Sequence, residues 1–247
     1  TVLHEDSRLV SADFPGAMRA AIEQALPGVQ AAYHMGPSGN QSTRHHVRGQ
    51  TFEEADRLGR RLADRVLAAV DALPDTAWTD TPVLAAAAAR VELPPRRFLD
   101  PKTAERKLED AVATYERLQR EDAGHGPVRT AECSVFGAEE AVVLARAQAD
   151  GRADAWLARY RNAEVQAFRI HDLLLACLPG EQFVEYGLDI KHRAPGPCFV
   201  ISLANGELQG YIVTPEADAE GGYEAANSCF RPEAGRIMAD RTLALMQ

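Results

Sequence analysis

The chain has 247 residues, a formal net charge of −9, 46% hydrophobic residues and 26% charged residues. This composition is typical of a globular protein with a sizeable core. The acidic balance, and the lack of basic runs that contain aromatic residues, argue against binding of nucleic acid through a general electrostatic surface. Apolar runs stay shorter than the roughly 18 residues that a membrane-spanning helix needs, so we expect no transmembrane segment.

The cysteines carry no metal-binding signature. Cys133, Cys177, Cys198 and Cys229 show no C-x-x-C spacing, which argues against a zinc knuckle. Cys177 and Cys198 lie inside apolar runs, as reduced core cysteines do. We therefore predict a cytoplasmic protein, with a signal peptide on a longer precursor as the alternative.

The first 50 residues predict two short strands, one helix and a polar loop. Residues 8–14 (RLVSADF) and 28–36 (GVQAAYHMG) are expected to be the strands, and the spacing of apolar residues between them predicts a helix over about 14–26. Residues 36–50 (GPSGNQSTRHHVRGQ) show no periodicity and form a predicted loop. A loop that follows a buried strand is where α/β proteins commonly carry their chemistry.

Three amphipathic patterns predict helices in the middle of the chain. Thr51 and Glu54 form a capping box at the start of the clearest of them. After a strand or buried segment at 82–94, charged helices are expected over 100–122 and 137–151. This middle region carries no obvious site chemistry.

The last third of the chain predicts the centre of the sheet. Residues 163–181 and 196–216 are apolar segments of the kind typical of strands in a covered sheet. His171, within the first segment, is expected to be a hydrogen-bonded core histidine, and a C-terminal helix begins near Pro232. Because the chain has no internal repeats, the simplest prediction is a single α/β domain over residues 1–247, with a mixed sheet covered by helices.

Polar side chains follow the predicted strands in three places. Ser42 lies in the Gly-rich loop, Glu181 follows one strand, and Tyr211 and Tyr223 follow the next. Each has a structural alternative: a turn residue for Ser42, a first-turn helix acid for Glu181, and a packing aromatic for Tyr211. For Glu181 the functional prediction is a metal ligand or general base at the edge of a sheet.

Four motifs occur in a fixed order: SADFPGAMRAAIE (11–23), GPSGNQSTR (36–44), LPGE (178–181) and SLANGELQGYIVTPEADAEGGYEA (202–225). In this order they resemble the neutral/alkaline non-lysosomal ceramidase family and its bacterial relatives. The resemblance runs from the first residues to nearly the last and is weakest over residues 96–160. It implies a ceramidase-like catalytic domain.

Enzymes of that family cleave an amide bond and hold a zinc ion with two histidines, a glutamate and a tyrosine. The resemblance implies that Glu181 and Tyr211 are zinc ligands and that Tyr223 is a further active-site tyrosine. It implies Ser42 as the nucleophile, although Thr43 stands where the family usually has proline, which alters the expected shape of the loop.

Further loop residues are predicted to bind the substrate. Gly39, Asn40 and Arg44 flank Ser42 in the same loop, and Asn205 lies in the later Leu-Ala-Asn-Gly turn. Backbone N–H groups from Gly39 to Ser42 are expected to stabilise an oxyanion.

Neither zinc histidine of the family has a counterpart in this sequence. In the family the second histidine lies in a segment like Cys-His-Pro-Thr just before the SADFPG region, and this chain begins at the matching Thr1. The resemblance therefore implies that these residues are the C-terminal portion of the catalytic domain. An upstream N-terminal chain of the same precursor would supply both histidines, as in a processed heterodimer.

Three functions remain open at this point. The first is a zinc-dependent hydrolase of a carbon–nitrogen bond in a small-molecule or lipid-like amide. The second is a hydrolase formed by autoproteolysis, in which Thr1 is the nucleophile, its α-amine is the base and no catalytic metal is needed. The third is a non-catalytic binding or assembly subunit on the same fold, in a higher oligomer.

Overall fold

The computed structural model of the protein describes residues 1–3, 7–43 and 46–247. Its contacts divide the chain into two compact units. The first unit comprises Thr1–Met35 and Gln41–Pro82, and the second comprises Gly36–Asn40 and Val83–Gln247. The second unit contains every strand among the described residues.

The described residues of the first unit form two α-helices. They are α1 (Asp13–Ala25) and α2 (Phe52–Asp71), and a short 3-10 helix follows at Asp75–Ala77. As predicted, the Thr51 hydroxyl caps α2 by accepting a hydrogen bond from the N–H of Glu54 at 3.2 Å. The Glu54 carboxylate does not complete the capping box. It accepts hydrogen bonds from the Arg48 N–H and the Arg57 guanidinium instead.

The two strands predicted in the first unit do not form. Around Ala31 the main chain bonds to side chains of α1 rather than to another strand: its N–H donates to Glu23 at 3.0 Å and its carbonyl accepts from Arg19 at 2.7 Å. Near residue 9 the apolar side chains point to solvent, and Leu9 is 68% exposed. The prediction of strands from short apolar runs is therefore wrong. At Ala31 side chains of α1, rather than a neighbouring strand, form the hydrogen bonds of the backbone N–H and C=O groups.

A four-stranded mixed sheet forms the centre of the second unit, as predicted. Its strands, in spatial order, are β1 (Leu84–Glu92), β2 (Asn162–Ile170), β3 (Leu173–Cys177) and β5 (Cys198–Ile201). The first three pair antiparallel, and β3 pairs parallel with β5. A separate parallel pair consists of β4 (Glu181–Gln182) and β6 (Tyr211–Ile212).

The predicted core position of His171 is wrong. Residues 163–181 form a hairpin rather than one strand, and His171 lies in its turn with a φ of 55°. Its side chain is 52% exposed. A two-residue turn between two apolar strands leaves almost no break in the hydrophobic pattern, which is why the sequence suggested a continuous strand.

Seven helices surround the strands of the second unit, and their bounds are α3 (Pro101–Arg120), α4 (His125–Ala149), α5 (Arg152–Tyr160), α6 (Val184–Arg193), α7 (Pro215–Glu220), α8 (Tyr223–Ala226) and α9 (Glu233–Ala244). Asp100 caps α3 by accepting from the Thr103 N–H at 3.0 Å, directly before a proline at the first helical position. Helices α3 and α4 pack against each other through Ala104, Val142 and Ala145.

Helix α9 covers one face of the sheet. Its Met238 and Leu243 belong to the same core cluster as Val165, Ala176 and Val200 of the strands. Side chains that alternate with these along the strands point to the opposite face, where Phe199 is 59% exposed. Cys177, Cys198 and Cys229 are free thiols. In the part of the chain that the structure describes, every helix is too short or too polar to cross a bilayer.

Candidate functional site

Glu181 and Tyr211 meet on two very short strands. Strands β4 and β6 run parallel, and their register sets Glu181 beside Tyr211. Each residue directly follows a glycine in the left-handed region: Gly180 has a φ of 77° and Gly210 a φ of 79°. Glycine adopts this conformation at little cost, so the two glycines turn the chain into the paired strands.

Main-chain contacts hold the turn before Glu181. The carbonyl of Gly180 accepts hydrogen bonds from the Ser202 hydroxyl at 2.8 Å and from the Leu203 N–H at 3.3 Å. On the other side, the buried Gln182 amide donates to the Pro179 carbonyl at 2.7 Å. These contacts fix the backbone from which the Glu181 side chain projects.

The position of Glu181 rules out its structural alternative. Helix α6 begins only at Val184, and the acid in its first turn is Glu185. Glu181 is a strand residue and takes no part in that helix. The interpretation of Glu181 as a helix first-turn acid is therefore wrong.

The Glu181 and Tyr211 side chains are electrostatically coupled. Burial raises the pKa of the Glu181 carboxyl; a hydrogen bond with Tyr211 lowers that pKa in part, and the Glu224 carboxylate raises it. Burial also raises the pKa of the Tyr211 hydroxyl, and the charge of Glu181 raises it further. The hydroxyl therefore keeps its proton well above neutral pH, while the carboxylate holds its proton more readily than an exposed glutamate does.

Tyr223 completes this group of side chains. It begins helix α8, and its ring lies edge-on to the Tyr211 ring with centroids 5.8 Å apart. Helix α4 approaches it closely at Gly137, where an added Cβ would lie 3.1 Å from the Tyr223 ring. The structure thus brings together three residues predicted from the sequence: Glu181, Tyr211 and Tyr223.

Glu224 is a member of the site that the sequence reasoning missed. It follows Tyr223 directly, and its carboxylate raises the pKa of both Glu181 and Tyr211. The adjacency to a predicted site tyrosine in the segment GGYEA was the signal that could have identified it.

Two of the predicted binding residues contact the backbone around Glu181. The N–H of Gly39 donates to the Gln182 carbonyl at 2.8 Å, so this N–H is already bonded and is not an oxyanion donor. The Asn40 amide oxygen accepts from the Val184 N–H at 2.9 Å, which satisfies a free N–H at the start of α6. The Asn40 amide nitrogen donates to Glu185 at 2.9 Å.

The third predicted binding residue of the second unit, Asn205, bonds to the main chain. Its amide nitrogen donates to the Cys177 carbonyl at 2.7 Å and to the Glu164 carbonyl at 3.2 Å. It thereby ties the turn before β6 to strands β2 and β3. Contact with a substrate stays a prediction for Gly39, Asn40 and Asn205.

Both predicted nucleophiles belong to the first unit. Ser42 is exposed, and the Thr43 hydroxyl donates a hydrogen bond to the Thr1 carbonyl at 2.7 Å. The carboxylate of Asp13 accepts from the N–H groups of Val2 and Leu3, each at 3.0 Å. Arg44, predicted to bind substrate, lies outside the described residues.

Glu181 and Tyr211 are the two predicted zinc ligands in this group of side chains. Glu181 and Tyr211 offer a carboxylate and a phenolic oxygen on adjacent strands, whereas protein zinc sites have three or four protein ligands. Among residues 1–3, 7–43 and 46–247, no three His, Cys, Asp or Glu side chains are grouped so that they could hold a metal ion. Two donors fall short of a zinc ligand set, so zinc binding by Glu181 and Tyr211 and its histidine partners stay a prediction.

Solved ceramidase structures share the fold of this chain. The crystal structure of neutral ceramidase from Pseudomonas aeruginosa matches all of it with a TM-score of 0.57 and 17% identity. A ceramidase complexed with C2 matches all of it with a TM-score of 0.60 and 14% identity. The chain spans only 42% and 43% of those two chains. A ceramidase-like mixed α/β fold is therefore confirmed.

Sequence comparisons add no narrower assignment. No family model matches the sequence. No curated protein matches it either.

Proposed function

We propose that this protein is a hydrolase that cleaves a carbon–nitrogen bond of an amide, with Glu181, Tyr211 and Tyr223 as its contribution to the active site. The observation that carries the proposal is the coupled pair on β4 and β6, with Tyr223 against it. The ceramidase-like fold supports the reaction class, because both solved neighbours are ceramidases.

The chain's own residues suit the two charge changes of amide hydrolysis. The carbonyl oxygen becomes negative as a nucleophile attacks, and a hydroxyl that keeps its proton can donate a hydrogen bond to it. Tyr211 has such a hydroxyl. Proton transfer to the leaving nitrogen needs a group that exchanges protons near neutral pH, and the raised pKa of Glu181 moves it in that direction.

A zinc ion gives an alternative, metal-dependent form of this proposal, in which Glu181 and Tyr211 would be two of its ligands and would no longer act as proton donors. When bound, it would polarise the amide carbonyl as a Lewis acid. The remaining ligands would come from polypeptide outside these 247 residues. The 42% coverage of the Pseudomonas aeruginosa enzyme supports this, as does the lack of a grouped third ligand among residues 1–3, 7–43 and 46–247.

The nucleophile is Ser42 in this proposal and Thr1 in a second candidate, the autoprocessed hydrolase. One observation favours the second: Asp13 and Thr43 hold the first residues of the chain by hydrogen bonds, so Thr1 starts from an anchored segment. An N-terminal nucleophile needs such an anchored position.

The test measures amine release from a panel of N-acyl amides by the protein purified with the polypeptide encoded upstream. We expect Glu181→Gln and Tyr211→Phe each to lower kcat by about 100-fold. The matched controls are Glu139→Gln and Tyr115→Phe on α4 and α3, which should retain full activity. Full activity of both site variants would overturn the proposal. If the wild-type protein hydrolyses none of the amides, a non-catalytic binding subunit is favoured instead.

Metal content and the two nucleophile variants separate the mechanisms. Zinc that co-purifies with the wild-type protein and is lost in Glu181→Gln supports the metal-dependent form. Inactive Ser42→Ala with active Thr1→Ala supports Ser42, and the reverse supports Thr1. If both variants turn over normally, neither residue is the nucleophile.

A further inference from the structure

A cavity of about 610 Å³ lies between the α3–α4 hairpin and the segment that carries α7 and α8. Its size falls within the roughly 300–1,000 Å³ typical of small-molecule sites. We call it the hairpin cavity. It lies wholly within the second unit, and one of its walls comes from the α3–α4 region, where the sequence suggested no site chemistry.

Tyr223 connects the hairpin cavity to the candidate active site. Its ring contacts the Tyr211 ring edge-on with centroids 5.8 Å apart, and the residue also lines the cavity. If the amide of a substrate lies beside Tyr211 and Tyr223, the hairpin cavity is the space next to it. The cavity is therefore suited to hold the part of a substrate that extends beyond the scissile bond.

Much of the cavity wall is apolar and made of small residues. Helix α4 contributes Gly137, Ala138 and Ala141, α3 contributes Ala111, and Phe98 adds an aromatic side chain. Small side chains at these positions leave the space open, and their apolar surface favours a hydrocarbon body over a highly hydrated one.

Charged residues of the wall leave a local excess of positive charge. Arg96 and Asp218 neutralise each other in an ion pair. Arg97 and Lys107 also line the cavity, and neither forms an ion pair with any residue that the structure describes. Asp110 is the one remaining acid of the lining, so two cations face one anion in a protein whose net charge is −9.

We infer that the hairpin cavity binds an apolar substrate arm that ends in an anion, with the anion held by Arg97 and Lys107. The substrate class is then an amide that carries a carboxylate on a hydrocarbon chain. This inference rests on the proposed function for the identity of the reacting bond, whereas binding of the arm can be measured without turnover.

The test uses two matched probes and isothermal titration calorimetry on the 247-residue protein. Suberamate has a primary amide at one end of an eight-carbon chain and a carboxylate at the other, and octanamide lacks the carboxylate. Because charge-assisted hydrogen bonds are the stronger kind, we expect suberamate to bind about tenfold more tightly or better. Equal affinity for the two probes, or binding of neither, would overturn the inference.

Variants assign the binding to this cavity. The pair Arg97→Gln with Lys107→Gln should remove the advantage of suberamate and leave octanamide binding unchanged. The matched control, Lys102→Gln with Arg106→Gln, also removes two positive charges, but from residues of α3 that do not line the cavity. It should leave both affinities unchanged. A suberamate advantage that survives the first pair would contradict the assignment.

A change of volume gives a second, charge-independent measurement. Ala138→Leu fills part of the cavity and should weaken both probes by about tenfold, because the added side chain occupies the space of the hydrocarbon. Ala113→Leu, on the exposed face of α3, is its control. Circular dichroism verifies that each variant is folded before titration.

Failure of the inference and failure of the proposed function are distinguishable. If suberamate binds as expected but no amide is hydrolysed, the cavity assignment holds and the proposed reaction is wrong. If amides are hydrolysed but suberamate has no advantage over octanamide, the reaction holds and the anionic arm is wrong.

Discussion

Glu181 and Tyr211 lie side by side on parallel strands of only two residues each, and a hydrogen bond with Tyr211 lowers the pKa of the Glu181 carboxyl. The titration of one therefore depends on the state of the other. Both groups are half-buried, so water does not fully screen this coupling. The pair is the feature on which the proposed chemistry depends, and its coupling can be measured directly.

Removing the Tyr211 hydroxyl should raise the pKa of Glu181 further. In Tyr211→Phe the carboxylate loses a hydrogen-bond donor that favours its charged form, while its burial stays the same. A pH titration of the Glu181 carboxyl carbon by NMR measures the shift. Tyr115→Phe on α3 serves as the control and should leave the titration unchanged; an unchanged or lowered pKa in Tyr211→Phe would contradict the coupling.

The raised pKa of Glu181 also predicts a pH-dependent stability. Because the folded-state pKa lies above the unfolded one, the folded protein binds more protons in the interval between them, and stability falls as pH rises through it. Glu181→Gln removes this loss and should raise the urea midpoint relative to wild type at about pH 7, with little difference at about pH 3.5. Glu139→Gln should show no such pH-dependent gain.

Gly39 should tolerate no side chain, because an added Cβ would lie 2.6 Å from the Glu181 carbonyl oxygen. We expect Gly39→Ala to displace β4 and to reduce the free energy of unfolding by about 1–3 kcal/mol. Gly36→Ala in the same segment is a matched control, since its Cβ would meet its nearest neighbour at 3.7 Å. Equal stability of the two variants in urea unfolding would contradict this prediction, because it would mean that β4 shifts away from the added Cβ at little energetic cost.

Local signals in the sequence were sufficient to predict several elements. The Thr51 cap of α2 and the helix at 100–122 were predicted because capping and helical periodicity act over a few residues. The mixed sheet followed from the apolar segments at 163–181 and 196–216. The Pro-Gly before Glu181 correctly marked a turn, at which Gly180 has a positive φ.

Long-range pairing could not be predicted from those signals. Two-residue strands such as β4 and β6 are too short to show an alternating pattern, so the neighbouring positions of Glu181 and Tyr211 came only from the family resemblance. The contact of Asn40 with Val184 spans 144 positions in the chain. The predicted length of α4 was also wrong, because the helix begins at His125, well before residue 137.

Asn205 should stabilise the fold in two ways, through the hydrogen bonds of its side chain and through its left-handed backbone conformation. Its φ is 63°, and its amide holds the Cys177 and Glu164 carbonyls. Asn205→Ala loses both hydrogen bonds and strains the backbone, whereas Asn205→Gly loses the bonds alone. We expect the alanine variant to be the less stable by about 1 kcal/mol in urea unfolding; the opposite order would mean that the backbone relaxes away from this conformation.

Arg96 should hold the Tyr223 helix in place. Its guanidinium pairs with Asp218 of α7 and donates to the Ala225 carbonyl of α8, and its own N–H donates to the Cys229 carbonyl at 3.0 Å. Burial lowers the pKa of Arg96, which shows that this cation is partly removed from water. Removing it leaves a carboxylate and a carbonyl without their partner, at a cost of about 1–3 kcal/mol in Arg96→Met.

A double-mutant cycle tests whether this cost comes from the ion pair. We expect a coupling free energy of about 1–2 kcal/mol between Arg96→Met and Asp218→Asn. The exposed pair of Arg117 and Glu121 on α3 is the matched control and should give less than about 0.5 kcal/mol, because both side chains are more than half exposed. Coupling of the same size in both cycles would mean that the Arg96 pair is no better shielded from solvent than an ordinary surface pair.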